Sequence, residues 1–316
     1  MNIFLVLATS LVVLTGTSGA PAHAAVARPD TYVVSGEPGV LPEGIAVTRT
    51  GIMYVTSVAT GAVYRGDVRH RWLRPFLPAG SDGRTRAAGV HVDRAGRLFV
   101  AGYDTATLFV YDPDGRLLAK RSAVTGAALN DLVITDHAVY VTDSAGGTIW
   151  RATLDGGRVG PLVPWLLPSD FPAVPGFLNG IVATADGRLA LVADQGTGEP
   201  GTERLWRIDL ADATASEVAV SGGQLGADGL LLEGARLYGV VNFPDPADGY
   251  RFAVNLAVLD GDLRAARVVR QSHTAGLEQS PTTLARDHDR LLWVNSQLNA
   301  TAPAPPFTVT EVPGLR

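Results

Sequence analysis

Cysteine is absent from the 316 residues, and Lys120 is the only lysine. No cysteine means no disulfide framework and no thiolate metal site, so stability has to come from buried apolar surface. A chain of this length can bury roughly 75% of the surface its unfolded form exposes, which is enough. Positive charge is almost all arginine and the formal net charge is −5. No basic run and no interleaving of aromatic with basic residues occurs, which argues against a nucleic-acid partner. Long helical periodicities are missing too. The plentiful glycine and proline, 36 and 20 residues, favour an all-β chain with many turns.

Long apolar runs are missing with one exception. Residues 1–24, MNIFLVLATSLVVLTGTSGAPAHA, hold an apolar stretch from Ile3 to Leu14, then small residues and Ala22-His23-Ala24. The stretch is shorter than the roughly 20 residues a spanning helix needs. It predicts a secretory signal cleaved after Ala24, although its first residues carry no Lys or Arg. With no cysteine behind it, a lipid anchor is excluded. The expected product is a secreted, extracellular protein of residues 25–316, forming one domain with no membrane span.

What the chain does have is a repeat. The stretch FLNGIVATADGRLALVAD, from Phe177 to Asp194, predicts a strand, an Asp-Gly turn and a second strand. Five further copies align on its Asn179-Gly180: EGIAVTRTGIMYVTS from Glu43, AGVHVDRAGRLFVAG from Ala88, NDLVITDHAVYVTD from Asn130, DGLLLEGARLYGVVN from Asp228 and TTLARDHDRLLWVNS from Thr282. Successive heads lie 45, 42, 49, 49 and 54 residues apart. Third and fourth strands follow in the first five units, for example GTIWRATLDG and PLVPWLL, or ERLWRIDL and ASEVAVS. Four strands per 40–50 residues predict a six-bladed β-propeller. The sixth copy supplies two strands, PFTVTEV a third and TYVVS at Thr31–Ser35 the fourth, so N- and C-terminal strands close the ring and seal its edges. A β-sandwich with accidental similarity is the alternative, and six evenly spaced copies disfavour it.

First strands of propeller blades line a central channel, so the heads Glu43, Ala88, Asn130, Asn179, Asp228 and Thr282 are expected to form a ring. Two carboxylates and two amides then converge. Gathered carboxylates are costly unless neutralised, and a divalent cation neutralises Glu43 and Asp228 in full. All-oxygen donors suit calcium, with other divalent cations admitted by the same set, and leave positions for water and substrate. The alternative is a polar ring around a water-filled tunnel.

On LPEGIAV, LNDLVI, FLNGIVATADGRLALVAD and GADGLLLEG the chain resembles the calcium-dependent six-bladed propellers of the gluconolactonase and regucalcin (senescence marker protein) type, over about Leu41 to Gln297. The resemblance implies a catalytic calcium held by Glu43, Asn179 and Asp228, with Asn130 binding the metal or contacting substrate. Gluconolactonase-type members carry a sugar-gripping Arg where this chain has Ala128. The expected activity is calcium-dependent hydrolysis of a small-molecule lactone or related ester. Asp228 would activate water or attack directly, while Asn130 and Asn179 orient the carbonyl. The rival is a non-enzymatic, calcium-stabilised binding or scaffold protein, since propellers host many functions.

Other motifs carry less. Asp112-Pro113-Asp114-Gly115 lacks the later ligands of an EF-hand and predicts a hairpin turn. Gly196–Gly201 has no following helix or Lys-Ser/Thr and predicts a loop on the rim of the heads. His91 occupies the place of Ala46, which alternation turns away from the channel. His273 is expected in a surface loop.

Overall fold

In the computed structural model, Met1 and residues 28–199, 201–242, 252–276 and 278–315 are described. The expected signal, beyond Met1, lies outside the described residues. Apolar residues alternate along short runs bounded by turns, and each run forms a strand. Blade one is Pro42–Val47, Ile52–Ser57, Val63–Asp67 and Arg74–Leu77. Blade two is Val90–Val92, Leu98–Ala101, Thr107–Tyr111 and Leu117–Ser122. Blade three is Leu129–Ile134, Ala138–Asp143, Ile149–Asp155 and Val163–Leu166, with the short Arg158–Val159 pairing on the third strand. Blade four is Leu178–Ala183, Leu189–Asp194, Arg204–Asp209 and Thr214–Glu217. Blade five is Leu230–Glu233, Arg236–Val241, Ala253–Leu259 and Ala265–Gln271.

Blade six is ordered as expected for a ring closed by both termini. Thr31–Ser35 pairs antiparallel with Phe307–Glu311, which pairs with Arg290–Asn295 and then Pro281–Asp287. Each first strand packs on that of the next blade, and the sixth returns to the first. The architecture is a six-bladed β-propeller. Among the described residues no helix is long and apolar enough to cross a membrane.

One strand departs from expectation. ASEVAVS was expected within blade four, but the run divides. Thr214–Glu217 stays on blade four, while Ala219–Ser221 pairs parallel with the outer strand of blade five. Val218 is the pivot: it is buried in the core between the two blades, and its N–H still donates to Leu205 O. The crossing strand covers an outer edge that would otherwise stay unpaired.

Side chains of a strand point alternately to the two faces of its blade, so apolar clusters form between neighbouring blades. Ile45 and Val55 pack against Val294, Phe307 and Val309 at the seam of blades six and one. Ala46 and Tyr54 face the other way, onto Val90, Leu98 and Phe109 of blade two. The same sharing recurs between blades two and three, three and four, four and five, and five and six. This replaces the missing disulfides with apolar seams. In blades three and four a tryptophan from the third strand anchors a buried aspartate at the end of the second: Trp150 to Asp143 and Trp206 to Asp194. Asp143 and Asp194 then receive the N–H groups of Ala128 and Gly176, which fixes the chain as it enters the heads of those blades.

Candidate functional site

Every first strand carries an irregularity at its head. In blades one, three, four and six the pairing register shifts between Pro42 and Ile45, Leu129 and Leu132, Leu178 and Ile181, and Pro281 and Leu284. In blade two, Ala101 O accepts from Ala88 N–H while Ala101 N–H donates to Gly89 O; Val240 treats Asp228 and Gly229 alike in blade five. Two residues face one, which is a β-bulge, and a bulge re-aims the side chain it carries. The residue behind the head is glycine in four blades. A Cβ at Gly44, Gly89, Gly180 or Gly229 would stand 2.4–2.7 Å from main-chain atoms of the next blade. Close approach of adjacent strands, rather than turn geometry, requires glycine there.

The bulge also decides which threonines hold the ring together. Thr56 Oγ1 accepts from Gly44 N–H at 2.8 Å and donates to Ala88 O at 2.5 Å. Thr142 Oγ1 repeats this between blades three and four, with Asp131 N–H and Asn179 O. Thr282 Oγ1 donates to Glu43 O at 2.8 Å, joining blades six and one. Thr282 was expected as the sixth head, outside the four polar ones, and its hydroxyl is committed to this main-chain bond. Ala88 is the apolar head.

Glu43, Asn130, Asn179 and Asp228 are all buried. Asn130 Nδ2 donates to Ser144 Oγ at 2.9 Å, and Ser144 Oγ donates to Leu178 O. Asn179 Nδ2 donates to Gln195 Oε1, Gln195 Nε2 to Asn242 Oδ1, and Asn242 Nδ2 to Asp228 Oδ2 at 2.5 Å. Asn179 also lies close enough to the Asp228 carboxyl to favour its charged form. A continuous chain of amides thus links blades four and five. Because the two head amides direct their nitrogens into this network, their oxygens are the atoms left to offer a ligand.

Glu43 differs. Its Oε2 is buried and has no hydrogen-bond partner among the described residues. Burial pushes the Glu43 carboxyl well above the usual carboxylate range, and the charges of Asp228 and then Asp131 push the same way. Burial likewise pushes Asp228 up to about 7; the bond from Asn242 and the nearness of Asn179 oppose this and the charge of Asp131 adds to it. The Asp228 carboxylate, on blade five, acts on Glu43, on blade one, so the two heads come within electrostatic reach of each other across the ring.

Sequence reasoning missed several residues. Asp131 stands where four other blades have glycine and is a third buried carboxylate acting on the axial pair. Its Oδ1 accepts Leu132 N–H at 2.8 Å and its Oδ2 accepts Ile181 N–H at 3.3 Å. The available signal was the N-D pair in a column of x-G pairs. The partners Ser144, Gln195 and Asn242 occupy one place, the end of each second strand. That place holds Val58, Tyr103 and Ser296 in blades one, two and six. His91 faces the neighbouring blade, as Ala46 does in blade one: its Nε2 lies 3.6 Å from Asp131 Oδ1 on the first strand of blade three. The Asp112 segment is the expected hairpin turn, with Asp112 Oδ1 accepting Asp114 and Arg116 N–H. The Gly196 loop joins the second and third strands of blade four on the head rim, and His273 is exposed.

Among the described residues no three His, Cys, Asp or Glu side chains come close enough to hold an ion by themselves. A cation at the axis would need the amide oxygens of Asn130 and Asn179 as well. The residues fit a hard divalent ion on two counts: every donor is oxygen, and the buried Glu43 Oε2 lacks a partner.

The chain matches no family model and no curated protein sequence. Solved structures do share its fold. Regucalcin from Agrobacterium tumefaciens, described as a calcium-binding protein, is 16% identical with a TM-score of 0.61, over 91% of this chain and 95% of that one. Virginiamycin B lyase from Staphylococcus aureus is 10% identical with a TM-score of 0.61, over 90% and 98%. A luciferin-regenerating enzyme is 12% identical with a TM-score of 0.59, over 90% and 95%. These likenesses extend the propeller resemblance to fold.

Proposed function

We propose that the protein is a calcium-dependent hydrolase acting on a lactone or related ester at the head end of the channel. The observation that carries this reading is the buried, unpartnered Oε2 of Glu43 in a ring otherwise composed of oxygen donors. Glu43, Asn130, Asn179 and Asp228 would hold the ion. When bound, such an ion supplies charge neutralisation for the carboxylates and polarisation of an ester carbonyl. Asn130 and Asn179, locked by Ser144 and Gln195, orient that carbonyl. Asp228, held by Asn242, takes the proton of the attacking water or attacks the acyl carbon itself.

Support from outside the chain is consistent in kind: the proteins of shared fold include a calcium-binding protein and enzymes by their descriptions. Export after cleavage behind Ala24 belongs to the same reading, and N-terminal sequencing of protein from the medium tests it. For activity, the purified chain is assayed with calcium and with EDTA against lactones, aryl esters and phosphotriesters. Hydrolysis that EDTA abolishes is expected; a folded, calcium-loaded protein inert to the whole panel sinks the proposal.

The scaffold reading has one observation in its favour. The amide chain through Asn179, Gln195, Asn242 and Asp228 already ties blades four and five, so an ion there would also hold blades together. On that reading EDTA lowers the melting temperature and there is no activity to lose.

A further inference from the structure

The ring has a gap at blade two. Its head is Ala88, which offers no polar atom, and at the place of Ser144, Gln195 and Asn242 it carries Tyr103. The Tyr103 backbone is held hard: its N–H donates to Leu129 O at 2.9 Å and its O accepts from Leu129 N–H at 3.0 Å. Its φ is 49°, in the left-handed region that a residue with a Cβ seldom adopts.

In register Tyr103 stands where the side chains of Ser144, Gln195 and Asn242 reach the heads of their own blades. Burial raises the Tyr103 phenol, Asp104 and Glu43 add to the rise, Arg86 opposes it, and Asp228 adds again. Glu43 is on blade one and Asp228 on blade five, and the phenol on blade two is within electrostatic reach of both. The side chain is neither buried nor fully exposed. Among the described residues its hydroxyl has no hydrogen-bond partner. Arg86 and Asp104, 3.6 Å apart, pair with each other beside it, and Arg86 is further bound to Val58 O. In blades three to five the corresponding side chain is bonded to a head or to its neighbour in the network. In blade two the donor has no head to bond.

We propose that the Tyr103 hydroxyl is the hydrogen-bond donor to an oxygen of the ligand bound at the axial site, filling from the ligand the place that a polar head fills in blades three to five. The ligand class is a carboxylate or carboxylic ester. That class rests on the hydrolase reading, whereas the donor role rests on the geometry of blade two. Kept neutral, the phenol adds no charge to a site that already has three carboxylates, and it donates where an acceptor oxygen arrives without a partner. During ester cleavage the same bond would strengthen as charge develops on that oxygen. Tyr103 is then a catalytic residue and not a support.

The test compares calcium-loaded wild-type protein with Tyr103→Phe, which keeps the ring and removes the hydroxyl. Four quantities are read: phenylacetate affinity by calorimetry, kcat on phenyl acetate, calcium affinity and melting temperature. Expected are about 10-fold weaker phenylacetate binding and about 100-fold lower kcat, with calcium affinity and melting temperature unchanged. Where wild type hydrolyses the ester, an unchanged kcat in Tyr103→Phe overturns the proposal. Where wild type hydrolyses nothing, the hydrolase reading falls, and phenylacetate binding decides: Tyr103-dependent binding upholds the donor, and equal or absent binding overturns it. A loss of calcium affinity or melting temperature as large as the loss of ligand binding also overturns it, because the phenol would then serve the scaffold.

Discussion

The two halves of the head ring use their polar atoms differently. Across blades three to five every head is tied: Asn130 to Ser144, and Asn179 to Asp228 through Gln195 and Asn242. Across blades six, one and two, Glu43 Oε2 and Ser296 Oγ are buried without partners, and the flanking residues are Ala88 and Val58. One half is fixed in advance by its own hydrogen bonds. The other leaves the Glu43 and Ser296 oxygens without partners among the described residues, which is costly unless a ligand reaches them. The difference separates residues that shape the site from residues that wait for its occupant.

The largest expected effect is on chemistry. Asp228→Asn keeps the shape and the possibility of a bond to Asn242 but removes the proton acceptor, so hydrolysis should fall by about 1000-fold or more. Circular dichroism should still show a folded chain. Wild-type rates in Asp228→Asn would remove Asp228 from the mechanism.

Next is the dependence of the metal-free protein on pH. Asp228 and Glu43 have folded values above the ordinary carboxylate range, so the folded chain binds protons that the unfolded chain has released. Stability is then fully present below about pH 4 and is lost as pH rises through about 7, by an amount on the order of a few kcal/mol. Calcium should reverse the loss, raising the melting temperature far more at pH 8 than at pH 5. An equal gain at both would mean the ion binds elsewhere.

A third experiment sets the halves against each other. Asn242→Ala breaks the tied half and strands Gln195 and Asp228, costing about 1–3 kcal/mol in denaturant melts without calcium. Glu43→Gln removes a buried, unneutralised carboxyl; it should leave metal-free stability at neutral pH unchanged or higher and abolish the gain from calcium. If Glu43→Gln destabilises as Asn242→Ala does, the two halves are not different in kind.

The smallest effect concerns two serines at one place in different blades. Ser144→Ala, on the tied side, should cost about 1 kcal/mol. Ser296→Ala removes a hydroxyl that has no partner and should change metal-free stability by less than about 0.5 kcal/mol. Equal losses would show that Ser296 has a bond after all.

Much of this was legible in the linear chain because propeller blades repeat. Each unit needs the same alternation to bury both its faces, so six copies and the shared sixth blade could be read from periodicity alone. The heads Glu43, Asn130, Asn179 and Asp228 followed from that register, with no distance needed. Asp131 was hidden because nothing in a single strand says that x-G is a packing rule until the neighbouring blade is seen 2.4–2.7 Å from a virtual Cβ. The crossing of Ala219–Ser221 onto blade five escaped because an outer strand pairs equally well with either edge within reach.

By itself, then, the sequence determined the number of blades, the closure through Thr31–Ser35 and the identities of the heads, since these depend on local patterns counted along one dimension. Tertiary structure alone decided that Asn242 and not Asn130 holds Asp228, and that Glu43 keeps a buried oxygen without a partner among the described residues. Those facts depend on which atoms of separate blades meet around a common axis. Hydrogen bonding and burial act over a few ångströms in space, whatever the separation along the chain.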